Sequence, residues 1–579
     1  MSSWQTAYEH WRTFQDLDPN LKEQLDRLHT DQESLEDAFY KELEFGTGGM
    51  RGIIGPGRNR MNIYTIRRVV YGLGNYLLKN NVNVKDRGVV VAYDSRHMSQ
   101  EFAVEVAKVL GTFGIKTHIF TSLRPTPLLS FAIRYLGTVS GIMITASHNP
   151  PEYNGFKVYN DDGGQLVPRD AEVLIDMIQE NDDELTIPVM KQEDLKKADL
   201  LTWIGDEIDH AYLEKLQGIS KWPEATMKDP KDLPIVFTPL HGTAHNLVMQ
   251  GLKQMNFTNV HVVREQAIPD PEFSTVASPN PEEHQAFEMA IEVGKKWDAA
   301  ILLGTDPDAD RLGVAVRDDH GEYTVLTGNQ LGSLLLDYIL SRSDTRILGD
   351  ARMMKTIVTT ELGRRIAEAY GVETMDVLTG FKYISEKIRQ FDETGETFVF
   401  GFEESYGYLI SPFSRDKDAV QAAVMATEMA AYWHGQGMTL LDALHALHDK
   451  YGYYMEGMSS LKREGKAGVE QIQLIMDTFR NERITDIAGL HVDKVEDYQT
   501  RERLDVGSGK IERIDLPEAN VLKFILEGNG WVCLRPSGTE PKIKCYYGVC
   551  SDSEASSRKW IERLKGTMDH KMQTIIQGQ

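Results

Sequence analysis

The sequence predicts an α/β protein: three similar mixed-sheet α/β domains plus a smaller C-terminal α+β domain, set around a central cleft. Three observations predict it. Apolar runs of strand length alternate with longer amphipathic stretches along most of the 579 residues. The alternation recurs in three blocks, and each block contains an apolar run that empties into a polar loop. The last stretch changes character, with closely spaced strand-like runs and one terminal helix. A chain this long exceeds a common domain size of roughly 100–150 residues several-fold. The expected divisions are 1–205, 206–325, 326–460 and 461–579.

Residues 1–45 read as amphipathic helix, with Trp4, Tyr8, Trp11 and Phe14, then Leu21, Leu25 and Leu28, expected to pack on the outside of the body. A glycine-rich loop follows, Phe45 to Gly52. Val89 to Tyr93 is a continuous apolar run, which suits a strand covered on both faces. Ser99 caps a helical stretch carrying Phe102, Val106, Val109 and Phe113, and Lys116 to Phe120 is strand-like again. A β-α-β unit of this kind implies parallel strands. Pro234 to Phe237, a helix from about Ala244, and Val260 to Val263 form a second unit; Arg346 to Val377 holds a fainter third. Later strands lead into the polar loops. Ile142 to Ile144 precedes Thr145 to Pro150, Ala299 to Leu303 precedes Gly304 to Arg311, and Phe398 to Phe400 precedes Gly401 to Ser405. Ligands of open α/β sheets bind beyond the carboxyl ends of strands, so three such loops suggest one shared cleft. In the last domain, strands at Val521 to Leu526, Val532 to Leu534 and Ile543 to Val549 surround the loop Arg535 to Lys542, and a helix spans Ser553 to Met568.

A net charge of −24 argues against a general nucleic-acid binder, which needs a basic face. No apolar run approaches the ~20 residues of a membrane helix, and the polar start Met1 to Thr6 lacks a secretory apolar core. Cys533, Cys545 and Cys550 show no metal spacing and read as reduced thiols of a cytoplasmic protein.

Four loops carry candidate chemistry. Ser147 stands just past a buried strand, with His148 and Lys157 as candidates to activate or neutralise it. In isolation, a turn-forming role for such a serine is the commoner case. Asp306, Asp308 and Asp310 alternate in a loop and can converge on a hard cation such as Mg²⁺. A calcium loop is disfavoured, because Arg311 and Arg317 occupy the positions that need glycine and glutamate. An acidic turn remains the other reading. The Glu403 and Glu404 carboxylates, beside Ser405, can accept sugar hydroxyls, although a plain strand-end turn is the better reading of this loop in isolation. Arg535, Ser537, Gly538, Thr539 and Lys542 offer a guanidinium, two hydroxyls and accessible backbone N–H groups to a phosphate; a hairpin turn is the alternative. Arg51, Lys382, Arg415 and Lys417 add positive charge.

Together these loops, in this order from Arg51 to Lys542, resemble the α-D-phosphohexomutase family. The Asp-Pro-Asp-Ala-Asp-Arg form is most similar to the long branch that includes bacterial α-phosphoglucomutases and animal phosphopentomutase-like enzymes. The resemblance implies four domains around a cleft, a phosphoserine at Ser147, and Mg²⁺ held by Asp306, Asp308, Asp310 and a phosphoserine oxygen. It places Arg51, His148, Lys157 and Arg311 near the transferred phosphoryl, and Glu403 and Ser405 on sugar hydroxyls. It assigns Thr379, Gly380 and Lys382 to the sugar-specificity loop, and Arg535, Ser537, Gly538 and Thr539 to the distal phosphate. Arg415 and Lys417 join the substrate-binding candidates. Two departures stand out. Pro307 and Ala309 replace glycines but do not ligate, and Phe402 replaces a glycine, which would reshape the sugar pocket. No histidine follows the Glu403 loop, so Lys157 is the first choice for general acid/base.

The implied activity is interconversion of glucose 1-phosphate and glucose 6-phosphate, with glucose 1,6-bisphosphate as intermediate and activator. Sugar phosphates are the expected partners, with neither nucleic acid nor membrane, and the chain is expected to be a monomer or homodimer. Rival readings are a phosphopentomutase, a phosphomannomutase, a sugar-bisphosphate synthase, a serine-dependent phosphatase and a non-catalytic sugar-phosphate sensor.

Overall fold

The computed structural model describes residues 3–46, 48–222, 233–318, 320–344, 349–463, 465–538 and 541–578. They form two compact units. The first comprises Met1–Leu326, Phe381–Phe400 and Ser405–Gly437, the second Thr327–Gly380, Gly401–Glu404 and Met438–Gln579.

In the first unit, Val89–Tyr93 and Ser140–Ile144 are buried at every position, as continuous apolar runs in a covered parallel sheet should be. They pair in parallel with each other, and Val89–Tyr93 pairs in parallel with Thr117–Phe120, which pairs with Leu201–Ile204. On the other side Tyr153–Asn160 and then Gly49–Ile53 run antiparallel, completing a seven-stranded mixed sheet with Phe45–Gly46 at its edge. Helices Ile63–Asn80 and Ser99–Thr112 carry Ile66, Val70, Phe102 and Val106 into its core. The sheet's N-terminal neighbours are the helices Ser3–Thr13, Pro19–Leu28 and Gln32–Phe39. Tyr8, Trp11, Leu21, Leu25 and Phe39 cluster there, and the Trp11 indole N–H donates to Glu184 Oε1 at 2.7 Å.

A second, five-stranded sheet repeats the plan. Ile301–Thr305 is fully buried and parallel to Ile235–Thr238, which is parallel to Val260–Val262. Leu312–Arg317 and Tyr323–Val325 extend it antiparallel.

Helix Ala419–Gly435 is buried on nearly every side from Ala419 to Ala431. Its N-cap, Asp418, accepts the Gln421 N–H at 2.9 Å and the Tyr212 hydroxyl at 2.8 Å while wholly buried. Burial outweighs these donors and pushes the Asp418 carboxyl up to about 6. The unfolded chain therefore ionises first. The stability from this group is complete below the ordinary carboxylate range and is lost as pH rises through about 6, on the order of 2–3 kcal/mol. Asp418→Asn removes this dependence. Its unfolding midpoint should change less between mildly acidic and mildly alkaline buffer than that of the parent, as followed by circular dichroism.

In the second unit Ala351–Thr356 pairs in parallel with Glu373–Val377. The expected start of this block at Arg346 falls at residues 346–348, outside the described residues. Strand Thr397–Glu403 begins in the first unit and ends in the second. The C-terminal part is an antiparallel sheet in the order Tyr453–Lys462, Lys542–Ser551, Gly530–Pro536, Leu522–Leu526, Leu490–Asp497, Glu502–Asp505, Ile511–Arg513. Helices Gly465–Asn481 and Glu554–Gln577 bury Ile475, Phe479, Leu564 and Met568 in the core of this sheet. The last helix runs beyond the expected Met568, because Met572, one turn on, is buried as well. Among the described residues no helix is long and apolar enough to cross a membrane.

Candidate active site

Ser147 lies three residues past the buried strand Ser140–Ile144, with φ of 52°, in the left-handed region that L-residues seldom adopt. Its neighbours hold it there. Its N–H donates to Thr145 Oγ1 at 2.8 Å. The buried Arg96 guanidinium donates to the carbonyls of Ser147 (2.6 Å), Pro150 (2.7 Å) and Tyr153 (2.9 Å), and also to that of Asn149. Asp94 steadies Arg96 by accepting its N–H at 3.0 Å, and takes the Ser99 hydroxyl at 2.8 Å. Gly155 lets strand Tyr153–Asn160 approach: a Cβ there would meet the Thr145 carbonyl oxygen at 2.5 Å. Two residues along, on the same face of that strand, is Lys157.

The fully buried strand Ile301–Thr305 delivers Asp306, Asp308 and Asp310, each at most 3% exposed. Asp306 Oδ1 accepts the N–H groups of Asp310 and Arg311, both at 3.1 Å, which curls the loop. Asp306 Oδ2 accepts the Ser147 hydroxyl at 2.7 Å, so two loops 159 residues apart in sequence meet at that bond. Lys157 Nζ donates to Asp308 Oδ2 at 2.8 Å and lies 3.6 Å from Asp310 Oδ2; Lys417 Nζ lies 2.8 Å from the latter. Thr126 Oγ1 donates to Asp308 Oδ2 at 3.2 Å.

One carboxylate oxygen from each aspartate lies within 4.8 Å of the others. Burial, with the Asp308 and Asp310 charges, pushes the Asp306 carboxyl well above its usual range. Burial acts the same way on Asp308 and Asp310, but Lys157 outweighs it at the first and the lysines, Lys417 foremost, at the second, so both are held low. Asp308 Oδ1 and Asp310 Oδ1 are buried without a hydrogen-bond partner. Three buried carboxylates with two orphaned oxygens and no softer donor in the set fit a hard divalent cation.

His148 Nδ1 is 3.2 Å from Ser147 Oγ, and burial, followed by the Arg311 and Arg51 charges, lowers the imidazole to about 3. Arg51 donates to Asn149 Oδ1 at 2.6 Å. Arg311 pairs with Glu282 and lies 3.8 Å from Asp310 Oδ1. Burial alone would lower the Lys157 pKa, but Asp308 and Asp310 hold it above the ordinary value, as an ammonium. The first unit thus gathers Arg51, Ser147, His148, Lys157, the three aspartates, Arg311 and Lys417.

Arg415, expected among the substrate-binding groups, lies deep in the first unit. It is 2% exposed, pairs with Asp392 of helix Phe381–Thr394 at 2.8 Å and donates to the Pro412 carbonyl at 3.0 Å, so its guanidinium ties its loop to that helix. Lys382 opens helix Phe381–Thr394 and lines a polar cavity of about 550 Å³. Ser405 precedes Tyr406, whose carbonyl accepts the Leu312 N–H at 3.0 Å.

The second unit carries the remaining expected groups. The Gly380 N–H donates to Glu403 Oε1 at 2.9 Å, and the neighbouring Thr379 hydroxyl is buried without a hydrogen-bond partner. Thr356 and Thr359 donate to Glu404 Oε2 at 3.3 and 3.2 Å, fixing the strand end. Phe402 lies in the core of the second unit. It is fully buried, and a Cβ added at Gly332 would meet its ring at 2.2 Å, so it fills core space that the helices leave open. Arg535 is at the end of strand Gly530–Pro536, where the Ser537 N–H donates to the Lys542 carbonyl at 2.7 Å and closes the turn. Gly538 borders open space, and Thr539 lies outside the described residues.

Sequence reasoning missed Arg96, Asp94 and Thr126. The first two had a signal, since Asp94 to Arg96 follows a buried strand like the loops that were singled out. Thr126 had none, because its partner is 182 residues away.

The chain matches the phosphoglucomutase/phosphomannomutase alpha/beta/alpha domains I, II and III over residues 42–185, 210–321 and 327–451, and that family's C-terminal domain over 481–560. It is 40% identical to a phosphoglucomutase of Staphylococcus aureus (strain MRSA252) over 526 residues, covering 90% of this chain and 92% of that one. Its fold is like that of a Burkholderia thailandensis phosphoglucomutase/phosphomannomutase family protein, with a TM-score of 0.64 at 19% identity, covering 91% of this chain and 97% of that one. It is also like that of parafusin, a Paramecium phosphoglucomutase, with a TM-score of 0.66 at 15% identity, covering 93% and 96%. The chain belongs to the phosphoglucomutase/phosphomannomutase family, the α-D-phosphohexomutases, and is an isomerase of the intramolecular phosphotransferase class.

Proposed function

We propose that the chain interconverts glucose 1-phosphate and glucose 6-phosphate in the cytoplasm, with Ser147 as the phosphoryl carrier and glucose 1,6-bisphosphate as the intermediate. The observation that carries this reading is the 2.7 Å bond between Ser147 Oγ and Asp306 within the buried aspartate cluster. The 40% identity to a phosphoglucomutase along nine-tenths of the chain supports glucose as the sugar.

In this reading phospho-Ser147 gives its phosphoryl group to O6 of glucose 1-phosphate: the bond from phosphorus to Oγ breaks, one to O6 forms, and the proton of the O6 hydroxyl ends on Oγ. The resulting bisphosphate turns over and returns its 1-phosphoryl to Ser147, releasing glucose 6-phosphate. Such transfers ask mainly for positioning and charge neutralisation. Arg96 and Thr145 position Ser147 through its backbone. Lys157 and Lys417 set positive charge against the aspartate cluster, and Arg51, His148 and Arg311 border it. Asp306, Asp308 and Asp310, with a phosphoserine oxygen, would hold Mg²⁺. When bound, that ion neutralises charge on the phosphoryl oxygens. Thr379, Gly380, Lys382, Glu403 and Ser405 read the sugar hydroxyls, and Arg535, Ser537, Gly538 and Thr539 hold the phosphate that is not reacting.

The test is product identity, with a trace of the matching bisphosphate present, from glucose, mannose and ribose 1-phosphates in parallel. Glucose 1-phosphate should turn over fastest. Faster turnover of ribose 1-phosphate would make the chain a phosphopentomutase, and steady release of inorganic phosphate without isomerisation would make it a phosphatase.

A further inference from the structure

Leu240 and His241 are consecutive non-glycine residues with left-handed φ, 44° and 63°. Such conformations persist where surrounding bonds enforce them. Here the bonds come from His241 itself, whose residue is only 2% exposed. Its backbone N–H donates to the Gln266 carbonyl at 2.7 Å. Its ring nitrogens Nδ1 and Nε2 lie 2.8 Å from the Ile268 carbonyl oxygen and 2.7 Å from Thr275 Oγ1. The neighbouring bonds suit one tautomer of the neutral ring. Thr238 donates its hydroxyl to Gln266 Oε1, and Gln266 Nε2 donates to Thr275 Oγ1 at 3.1 Å. The Thr275 hydroxyl then donates to His241 Nε2, and Nδ1–H donates to Ile268.

Two outputs leave this turn. One reaches the aspartate loop. The Thr243 N–H and hydroxyl both donate to the Pro307 carbonyl, at 2.9 and 3.0 Å. Gly242 permits the approach, since a Cβ there would meet Pro307 Cα at 2.5 Å. Pro307 separates Asp306 from Asp308. The other output reaches the serine loop. By gripping Ile268 and Thr275, His241 closes both ends of a short segment whose buried Phe273 presents its ring 4.9 Å from the Arg96 guanidinium carbon. Arg96 in turn holds the Ser147 carbonyl.

We propose that His241 is a positioning residue that fixes the serine loop and the aspartate loop in register with one another, from behind and without touching substrate. The inference rests on the phosphoserine and metal reading of those loops. Partners that orient first ligands are worth about 10–100-fold in metal affinity or activity when removed.

The test uses full-length parent, His241→Ala, Thr275→Val and Thr275→Ser. Mn²⁺ dissociation constants are measured by electron paramagnetic resonance, kcat and KM with glucose 1-phosphate. The expected result is a Mn²⁺ dissociation constant about tenfold higher and a kcat about tenfold lower in the alanine and valine variants, with KM nearly unchanged. Thr275→Ser, which keeps the hydroxyl, should stay near the parent. If His241→Ala does not fold, Thr275→Val decides. Parental Mn²⁺ affinity and kcat in Thr275→Val overturn the proposal, as does a fall in melting temperature alone. Parent protein that binds no Mn²⁺ overturns the metal reading, and this inference with it.

Discussion

Ser147→Ala should lower kcat by about 10⁴-fold or more in both directions, the scale seen when a covalent nucleophile is removed. The substitution deletes one atom and its two hydrogen-bond contacts, to Asp306 Oδ2 and His148 Nδ1. The backbone bonds that shape the loop, to Thr145 and Arg96, do not involve the hydroxyl. The fold and the sugar-binding groups are therefore retained, and KM should move little. Assays in both directions, with intact-mass measurement of parent and variant, check this. The parent should carry a phosphate increment that the variant lacks, and wild-type turnover by the variant would remove the phosphoserine.

Asp308→Asn should lower kcat by about 10³-fold, the scale of removing one charge-stabilising group from a water-excluded site. The effect is compound. The ligand set loses a charge, so divalent binding weakens, and Lys157 loses the charge of its 2.8 Å partner, leaving the Asp310 carboxylate at 3.6 Å. A buried cation deprived of its partner is destabilising, by up to about 3–5 kcal/mol. Activity should therefore be assayed below the variant's own melting temperature and over a range of Mg²⁺. Partial recovery at high Mg²⁺ is expected. A loss under tenfold at every Mg²⁺ concentration would argue against ligation by Asp308.

What could be read in advance follows from where the information lies. Val89–Tyr93 and Ile301–Thr305 were legible because strands covered on both faces must be apolar at each position. Ser147 and the three aspartates were legible because polar residues just past such strands need a reason to be there. The contacts that hold them were not, because they join distant segments. Arg96 serves carbonyls 51 to 57 residues away, and Thr126 serves Asp308 182 residues away. Side-chain direction was equally hidden. Arg415 and Lys417 share a short polar run, yet one guanidinium turns to Asp392 while the other side chain reaches Asp310. Phe402 stands where relatives carry a glycine, and nothing in the sequence said that its ring is buried.

The central claim is that the hydroxyl seated on the aspartate cluster carries the transferred group, and label transfer measures this directly. Protein labelled with glucose 1,6-bisphosphate bearing radioactive phosphate is mapped by peptide, then chased with unlabelled glucose 1-phosphate. The account predicts one label per chain at Ser147, leaving in a single turnover at least as fast as kcat and recovered in sugar phosphate. Label at another residue, label that stays on the protein through the chase, or label released as inorganic phosphate would contradict it.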